Sequence, residues 1–198
     1  MSVVRSRKTA SKKEFILQKA ALMFREKGFA ATSMRDLADS VGIEAASLYN
    51  HIRSKNEMLE TICFAVANRF NMHISLMEAD HQKSIVKIET LLRFHINQMI
   101  EHFAEVTVSD REWKHLKSPA LTNFHHQRRM YRKRFAAIIE KGIKVGEIRK
   151  IDAPTAVIIM LHAVNGIESW HRSKAKINAQ ELENNMVLIL TNGLRKQE

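Results

Sequence analysis

The sequence contains few of the residues that end helices or form tight turns. Its 198 residues include six glycines and only two prolines, Pro119 and Pro154. Strands have to be joined by turns, and turns favour glycine and proline because these residues supply the necessary backbone angles. We therefore expect an all-α protein. A hydrophobic content of 45% is enough to build a substantial core.

Cysteine and long hydrophobic segments are also scarce. The single cysteine, Cys63, excludes a disulfide framework and favours a reducing, cytoplasmic setting. No apolar run follows the opening Met-Ser-Val-Val-Arg, so we expect no signal peptide. The longest apolar segment, residues 156–167, is too short to cross a bilayer. These absences predict a cytoplasmic protein with no membrane partner.

The sequence lacks the patterns that serve catalysis or metal binding. It contains no glycine-rich phosphate loop and no pairing of a nucleophile with a base. The ten histidines lack the spacing to cysteines or carboxylates that metal sites need, and His125 and His126 diverge on a helix because they are adjacent. We therefore expect no enzyme, no metal and no cofactor.

Positive charge is concentrated in two regions of a chain whose formal net charge is +11. Residues 1–13 carry five basic and no acidic side chains, and residues 111–150 carry twelve basic and three acidic ones. A basic terminal arm commonly contacts the DNA backbone, although such an arm can also be a solvated tail. The second region could meet a polyanionic ligand or could be a solvated helix face.

Residues 32–52 have the pattern of two short helices joined by a sharp corner. Thr32 or Ser33 can cap the first helix, and Gly42 supplies the positive φ that a chain reversal often needs. The second helix is predicted over 45–52, and such a pair can place its N-terminal residues in a DNA major groove. The fourth helix is predicted to begin after Ser54, in a capping box with Glu57.

The apolar and polar positions around this corner carry a family resemblance. Over about 45 residues the chain resembles the DNA-binding signature of the TetR family of bacterial transcriptional regulators. The matching positions are Ile16-Leu17, Ala20, Phe24, Gly28-Phe29, Thr32-Ser33-Met34, Leu37-Ala38, Gly42-Ile43, Leu48-Tyr49, His51, Ser54-Lys55 and Leu59.

The resemblance implies a domain organisation and a function. It implies a three-helix DNA-binding domain at residues 1–54 and a helical effector-binding and dimerisation domain at residues 55–198. The implied function is a repressor that a small molecule releases from a palindromic operator. Two alternatives stay open: a constitutive DNA-binding regulator without a ligand, and an enzyme or ligand carrier that has kept only the fold.

Roles in DNA binding carry over from the family to individual residues. The resemblance implies that Thr32, Ser33, Tyr49 and Lys55 contact phosphate, and that Arg35 reaches a guanine edge, which its fork of donors suits. The start of the recognition helix and the two residues after Tyr49 complete the predicted surface. These further positions are Ala45, Ala46, Ser47, Asn50 and His51.

One residue departs from the family pattern. Glu44 stands where the family most often has a serine or threonine cap. A carboxylate suits the N-terminal end of a helix dipole but repels nearby phosphates. Since Ala45 and Ala46 offer only apolar contact, we expect few direct base contacts.

The rest of the chain predicts a helical body that pairs with a second copy. Helices are expected at 84–105, 120–143, 153–171 and 179–195, with residues 106–119 irregular or holding a short helix. The helix at 153–171 is apolar on nearly every side and therefore needs cover on more than one face. We expect a homodimer through the 153–171 and 179–195 helices, in line with the family resemblance.

The effector is expected to be a small hydrophobic molecule. Ten methionines and a phenylalanine-bearing interior suit an apolar pocket. A looser resemblance, running from Tyr131 to Trp170-His171-Arg172, is to repressors that sense acyl-CoA thioesters. It implies an acyl-CoA bound between the 84–105, 120–143 and 153–171 helices. Its phosphates would meet basic residues such as Arg128, Arg129, Arg132, Lys133 and Arg134.

Overall fold

The computed structural model describes residues 11–173 and 177–194, and within these residues the chain is helical with no strand. This confirms the predicted all-α class, with a helix-turn-helix domain followed by a larger helical body. The elements are α1 (Lys12–Lys27), α2 (Met34–Val41), α3 (Ala45–Tyr49), α4 (Lys55–Ala79), α5 (Ser84–Glu101), α6 (Phe103–Arg111), a 3₁₀ helix (Trp113–His115), α7 (Ala120–Lys144), α8 (Ala153–Asn165), α9 (Ile167–Arg172) and α10 (Ala179–Asn192).

The N-terminal helices begin and end at residues suited to those positions. The Ser33 hydroxyl caps α2 by accepting from the backbone N–H of Asp36 at 3.1 Å, and the Asp36 carboxylate reciprocates by accepting from the N–H of Ser33 at 2.9 Å. Gly42 ends α2 with a φ of +73°, a left-handed conformation that glycine adopts without a steric penalty. These local signals fix the lengths of the first helices.

The predicted capping box of α4 forms only in part. The Ser54 hydroxyl accepts from the N–H of Glu57 at 3.1 Å, as expected. The Glu57 carboxylate, however, accepts from the N–H of Arg53 at 2.8 Å rather than from that of Ser54. The helix still begins at Lys55, because one satisfied cap is enough to start it.

Two hydrophobic clusters fill the interior. The first, which we call the N-terminal core, contains buried residues of α1, α2 and α3, but residues of α4, α6 and α7 such as Leu59, Val108 and Phe124 also belong to it. The second, the body core, is built from α4, α5, α7, α8 and α10 around Leu91 and Phe135. The N-terminal core therefore crosses the predicted domain boundary at residues 54/55, and the division of the chain at that point stays a prediction.

Three of the predicted helices differ from the observed ones. The helix predicted at 84–105 ends at Glu101, and α6 runs from Phe103 to Arg111, into the segment 106–119 that was predicted to be irregular or to hold a short helix. The second alternative expected for 106–119, a short helix, is the one observed, and α6 packs against α1 and α4. The helix predicted at 153–171 is interrupted at Gly166, and α10 ends at Asn192 rather than 195.

The helical body surrounds α7. This helix packs against α4, α5 and α8, while α10 packs on α5. Asp152 begins α8 as expected, since its carboxylate accepts from the N–H of Thr155 at 2.9 Å and Pro154 lies in the first turn. Within the described ranges, no helix is both long and apolar enough to cross a membrane. Residues 1–10, which make up most of the predicted basic arm, lie outside the described residues.

Candidate DNA-binding surface and effector cavity

The corner between α2 and α3 has the geometry of a helix-turn-helix. The N–H of Ile43 donates to the carbonyl of Ala38 at 3.1 Å, which closes the turn at Gly42. Leu37, Ala38 and Leu48 are buried beneath it and hold the two helices together. The recognition helix α3 runs from Ala45 to Tyr49, shorter than the predicted 45–52, and a turn follows at residues 50–51.

Most of the predicted DNA-contacting side chains lie on the surface around this corner. Arg35 is exposed, and Tyr49 is 52% exposed. Neither side chain hydrogen-bonds to any residue that the structure describes, so both have free donors. Ser33, Ala46 and Asn50 are exposed as well, and Ala45, Ser47 and His51 are half-buried. All eight residues are therefore at least partly accessible on or beside α2 and α3, and their contacts with DNA stay a prediction.

Thr32 and Lys55 point inward instead. The buried Thr32 hydroxyl donates to the carbonyl of Gly28 at 2.9 Å. The Lys55 ammonium donates to the carbonyls of Phe29 at 2.7 Å, Ala30 at 3.3 Å and Thr32 at 2.6 Å. It also lies 4.4 Å from the centroid of the Phe29 ring. An ammonium has three donors, so a phosphate contact by Lys55 would require it to release a carbonyl.

The helical body contains a cavity of about 410 Å³. Residues of α4, α5, α6, α7 and α8 line it, so it includes the three segments between which the effector was predicted to bind, and α4 and α6 in addition. Much of its wall is apolar. The principal apolar side chains are Val66, Phe70, Val106, Trp113, Phe124 and Leu161.

Positively charged side chains lie at the edge of the cavity. The exposed side chains of Lys114 and Arg132 line the cavity, and neither has a hydrogen-bond or ion-pair partner within residues 11–173 and 177–194. The third cation, Arg128, is neutralised because its guanidinium donates to the Asp110 carboxylate at 2.7 Å. The cavity edge therefore presents two unpaired positive charges.

A buried polar pair forms part of the cavity wall. A ring nitrogen of His95, on α5, lies 2.6 Å from the hydroxyl of Tyr131, on α7. Burial lowers the pKa of His95 to about 3, with a smaller contribution from His73, and burial raises the pKa of Tyr131. Both side chains are therefore uncharged near neutral pH.

Only some of the basic residues singled out in the sequence reach the cavity. Arg128 and Arg132 line it. Arg134 instead donates to Glu78 at 2.7 Å, and Arg129 and Lys133 are exposed elsewhere on α7. The Trp170-His171-Arg172 segment does not line the cavity either. Trp170 Nε1 donates to the carbonyl of Ile177, a His171 ring nitrogen lies 2.9 Å from the carbonyl of Met99, and Arg172 pairs with Glu168.

An exposed apolar groove runs between α8 and α10. Its volume is about 390 Å³, and Ile159 and Ile189, which are 58% and 71% exposed, stand on its two sides. Val157 and Met160 of α8 face the body core of their own subunit and are buried. The outward face of α8 is therefore carried by Ile158 and Ile159.

Comparison with known proteins identifies the family. Residues 16–62 match the bacterial regulatory proteins of the tetR family, and residues 81–194 match the tetracyclin repressor-like C-terminal domain. The chain belongs to the TetR family. The resemblance inferred from the helix-turn-helix residues is thereby confirmed, and the protein is a transcriptional regulator.

Relatives of this TetR-family chain are named repressors. It is 24% identical to the HTH-type transcriptional repressor KstR2 of Mycobacterium tuberculosis over 189 residues, which cover 94% of each chain. It is 27% identical to KstR2 of Mycolicibacterium smegmatis, over 96% of this chain and 93% of the relative.

Solved TetR-family structures share the fold. The ketosteroid transcriptional regulator KstR2 of Mycobacterium tuberculosis superposes with a TM-score of 0.88 at 23% identity, covering 96% of this chain and 98% of that one. AibR, in complex with isovaleryl coenzyme A and operator DNA, superposes with a TM-score of 0.79 at 20% identity, covering 91% and 98%. At these identities the likeness concerns the fold.

Sequence reasoning missed three parts of the regulator's cavity. It did not anticipate the His95–Tyr131 pair, the Asp110–Arg128 pair, or the lining by α6 and the 3₁₀ helix. His95 and Tyr131 are 36 residues apart, and a tertiary contact of this kind leaves no local pattern. Val106 and Val108 are two residues apart, a spacing that does not predict a helix, and they belong to different hydrophobic clusters.

Proposed function

We propose that this TetR-family regulator is a homodimeric repressor, released from a palindromic operator by an amphiphilic anion of the acyl-CoA class. The observation that carries the proposal is the cavity, whose apolar wall ends at the unpaired cations Lys114 and Arg132. An acyl chain suits the apolar wall, and the phosphates of coenzyme A suit the two cations. AibR, which has the same fold, binds isovaleryl coenzyme A and operator DNA. A cytoplasmic setting is part of the proposal.

The segment from α6 to the 3₁₀ helix would carry the signal. Val106 and Trp113 line the cavity, while Val108 and Leu116 belong to the N-terminal core. The ring of His115 stacks on Phe29 with centroids 5.3 Å apart, and α6 packs directly on α1. A ligand that binds one position of this segment more tightly than another shifts the recognition helices. A constitutive regulator would have no use for a cavity so placed.

The proposed ligand class can be tested by calorimetry and operator release. The panel contains acyl-CoAs, free fatty acids and cationic drugs, because these differ in charge while sharing an apolar part. We expect an acyl-CoA to bind with a Kd below about 100 μM, near −5.5 kcal/mol, and to release the operator. Release by cationic compounds, with no thioester binding at that level, contradicts the proposal.

Protein variants with reversed charge at the cavity edge test the same acyl-CoA proposal. The double variant Lys114→Glu with Arg132→Glu should bind octanoyl-CoA at least about tenfold more weakly, a loss of ~1.4 kcal/mol. The matched control is Arg129→Glu with Lys133→Glu, which makes the same change in charge on exposed residues of α7 outside the cavity. Equal weakening in both variants would show that only the overall charge of the protein matters.

The proposed DNA-binding surface consists of Ser33, Arg35, Tyr49 and the residues around α3. Arg35 is exposed with an unpaired guanidinium, which suits it to a bidentate contact with guanine. Arg35→Ala should relax the preference at one base pair in each half-site, at a cost of ~1–3 kcal/mol per half-site. The measurement is a binding profile over a randomised operator. Weaker binding with unchanged base preference would make Arg35 a phosphate contact.

A further inference from the structure

The His95–Tyr131 pair has more hydrogen-bonding capacity than the protein uses. Each side chain is the other's only hydrogen-bond partner among the described residues. If the tyrosine O–H donates to the imidazole, the second imidazole N–H is free; if the imidazole donates, the tyrosine O–H is free. Whichever tautomer is present, one donor of the pair stays unused, and both residues line the cavity.

A second unused polar atom lies one helical turn away. Gln127 also lines the cavity, and its Oε1 is buried without a hydrogen-bond partner in the part of the chain that the structure describes. Gln127 and Tyr131 are four residues apart on α7, so their Cβ atoms are roughly 5–6 Å apart on the same face. An acceptor and a donor therefore lie on neighbouring side chains of the cavity wall.

Aromatic side chains surround the His95–Tyr131 pair. Phe70 packs against both members of the pair, with ring centroids 4.4 Å from His95 and 6.0 Å from Tyr131, and Phe135 also contacts both. Phenylalanine at both positions would fill nearly the same space without leaving a polar atom of the pair unsatisfied. Buried polar groups without partners are costly, so a ligand atom that satisfies them gains affinity and selectivity.

We propose that His95, Tyr131 and Gln127 form a subsite for a hydroxyl group on the acyl part of the ligand. A hydroxyl can accept from the free donor of the pair and donate to the Gln127 oxygen in one contact. The inference rests on the acyl-CoA class proposed above and narrows it to hydroxylated acyl chains. Since His95 and Tyr131 stay uncharged near neutral pH, the subsite is unsuited to a carboxylate.

The test compares octanoyl-CoA with hydroxyoctanoyl-CoA isomers that carry the hydroxyl at the third, fifth or seventh carbon. In wild type we expect one isomer to bind about tenfold more tightly than octanoyl-CoA, the effect of one good hydrogen bond. Tyr131→Phe and Gln127→Leu should each reduce that preference to about twofold or less, where the preference is the ratio of the two Kd values measured in the same variant. The control is Thr107→Val, which removes a buried hydroxyl that has no partner among the described residues and does not line the cavity.

The outcomes separate this inference from the proposed function. If octanoyl-CoA binds wild type and no isomer is preferred, or the preference survives Tyr131→Phe, the subsite is wrong and the ligand class stands. If no thioester binds, both the proposed acyl-CoA ligand class and the proposed subsite are wrong. If Tyr131→Phe does not fold, the ring nitrogens of His95 are observed by NMR in wild type. A shift on adding the preferred isomer but not octanoyl-CoA supports the subsite, and no difference overturns it.

Discussion

Ile159→Glu and Ile189→Glu should each convert the protein to monomers and lower operator affinity by about a hundredfold or more. Both side chains are mainly exposed in the single chain, on opposite sides of the groove between α8 and α10, so the fold of the subunit should survive. In a dimer through these helices the new carboxylate would be buried without a partner. Two half-sites then no longer bind as one unit, which removes an avidity of ~10²–10⁴.

Analytical ultracentrifugation and operator titration measure the two effects. Met72→Glu is the matched control, because Met72 is an equally exposed apolar side chain, 71% exposed, on α4 and away from the groove. It should leave both mass and affinity unchanged. Wild-type protein that is monomeric at micromolar concentration would contradict the dimer. A dimer that is lost in Met72→Glu alone would place the interface elsewhere.

Lys55→Met should unfold more readily than wild type, by about 2–3 kcal/mol. The change keeps the apolar stem but removes the ammonium that three carbonyls of the α1–α2 loop accept from, and bonds to charged groups contribute ~1.5–3 kcal/mol. Because this loop leads directly into α2, the helix-turn-helix loses its support and operator affinity falls. Denaturant titration and operator binding at several salt concentrations measure the two losses.

The salt dependence distinguishes support of the loop from contact with phosphate. A lost phosphate contact reduces the slope of log K against log salt by about one unit for each contact. Loss of support alone leaves that slope unchanged while stability falls. Lys27→Met is the control, since Lys27 is exposed at the end of α1 and its ammonium makes no hydrogen bond to the described residues. If Lys55→Met reduces the slope of log K against log salt while keeping wild-type stability, Lys55 contacts phosphate instead.

The N-terminal helices could be predicted from the sequence because their signals are local. Ser33 caps α2 across three residues, and Gly42 reverses the chain within one turn. Neither signal depends on distant parts of the chain. What could not be predicted there was the inward turn of Lys55, since its three carbonyl partners are 23 to 26 residues away.

The body was predicted less well, for two physical reasons. Helix α8 is apolar on nearly every side, so its periodicity could not separate buried Val157 from exposed Ile158. The position of α6 depends on packing against α1 and α4, and tertiary packing overrides the weak local preferences of residues 103–111. The Trp170-His171-Arg172 segment carried part of the likeness to acyl-CoA sensors, and in the structure its side chains bond to neighbouring parts of the chain outside the cavity.

The sharing of the N-terminal core between both parts of the chain has a consequence for folding. Val108, Leu116 and Phe124 close the core around the recognition helix, and all three lie far beyond residue 54. A fragment ending at that boundary would lose α4 and α6 and would expose the apolar face of α1 to water. We therefore expect the helix-turn-helix and the helices that enclose the cavity to unfold as one cooperative unit. A compound that stabilises the cavity raises the melting temperature of the whole molecule, recognition helix included.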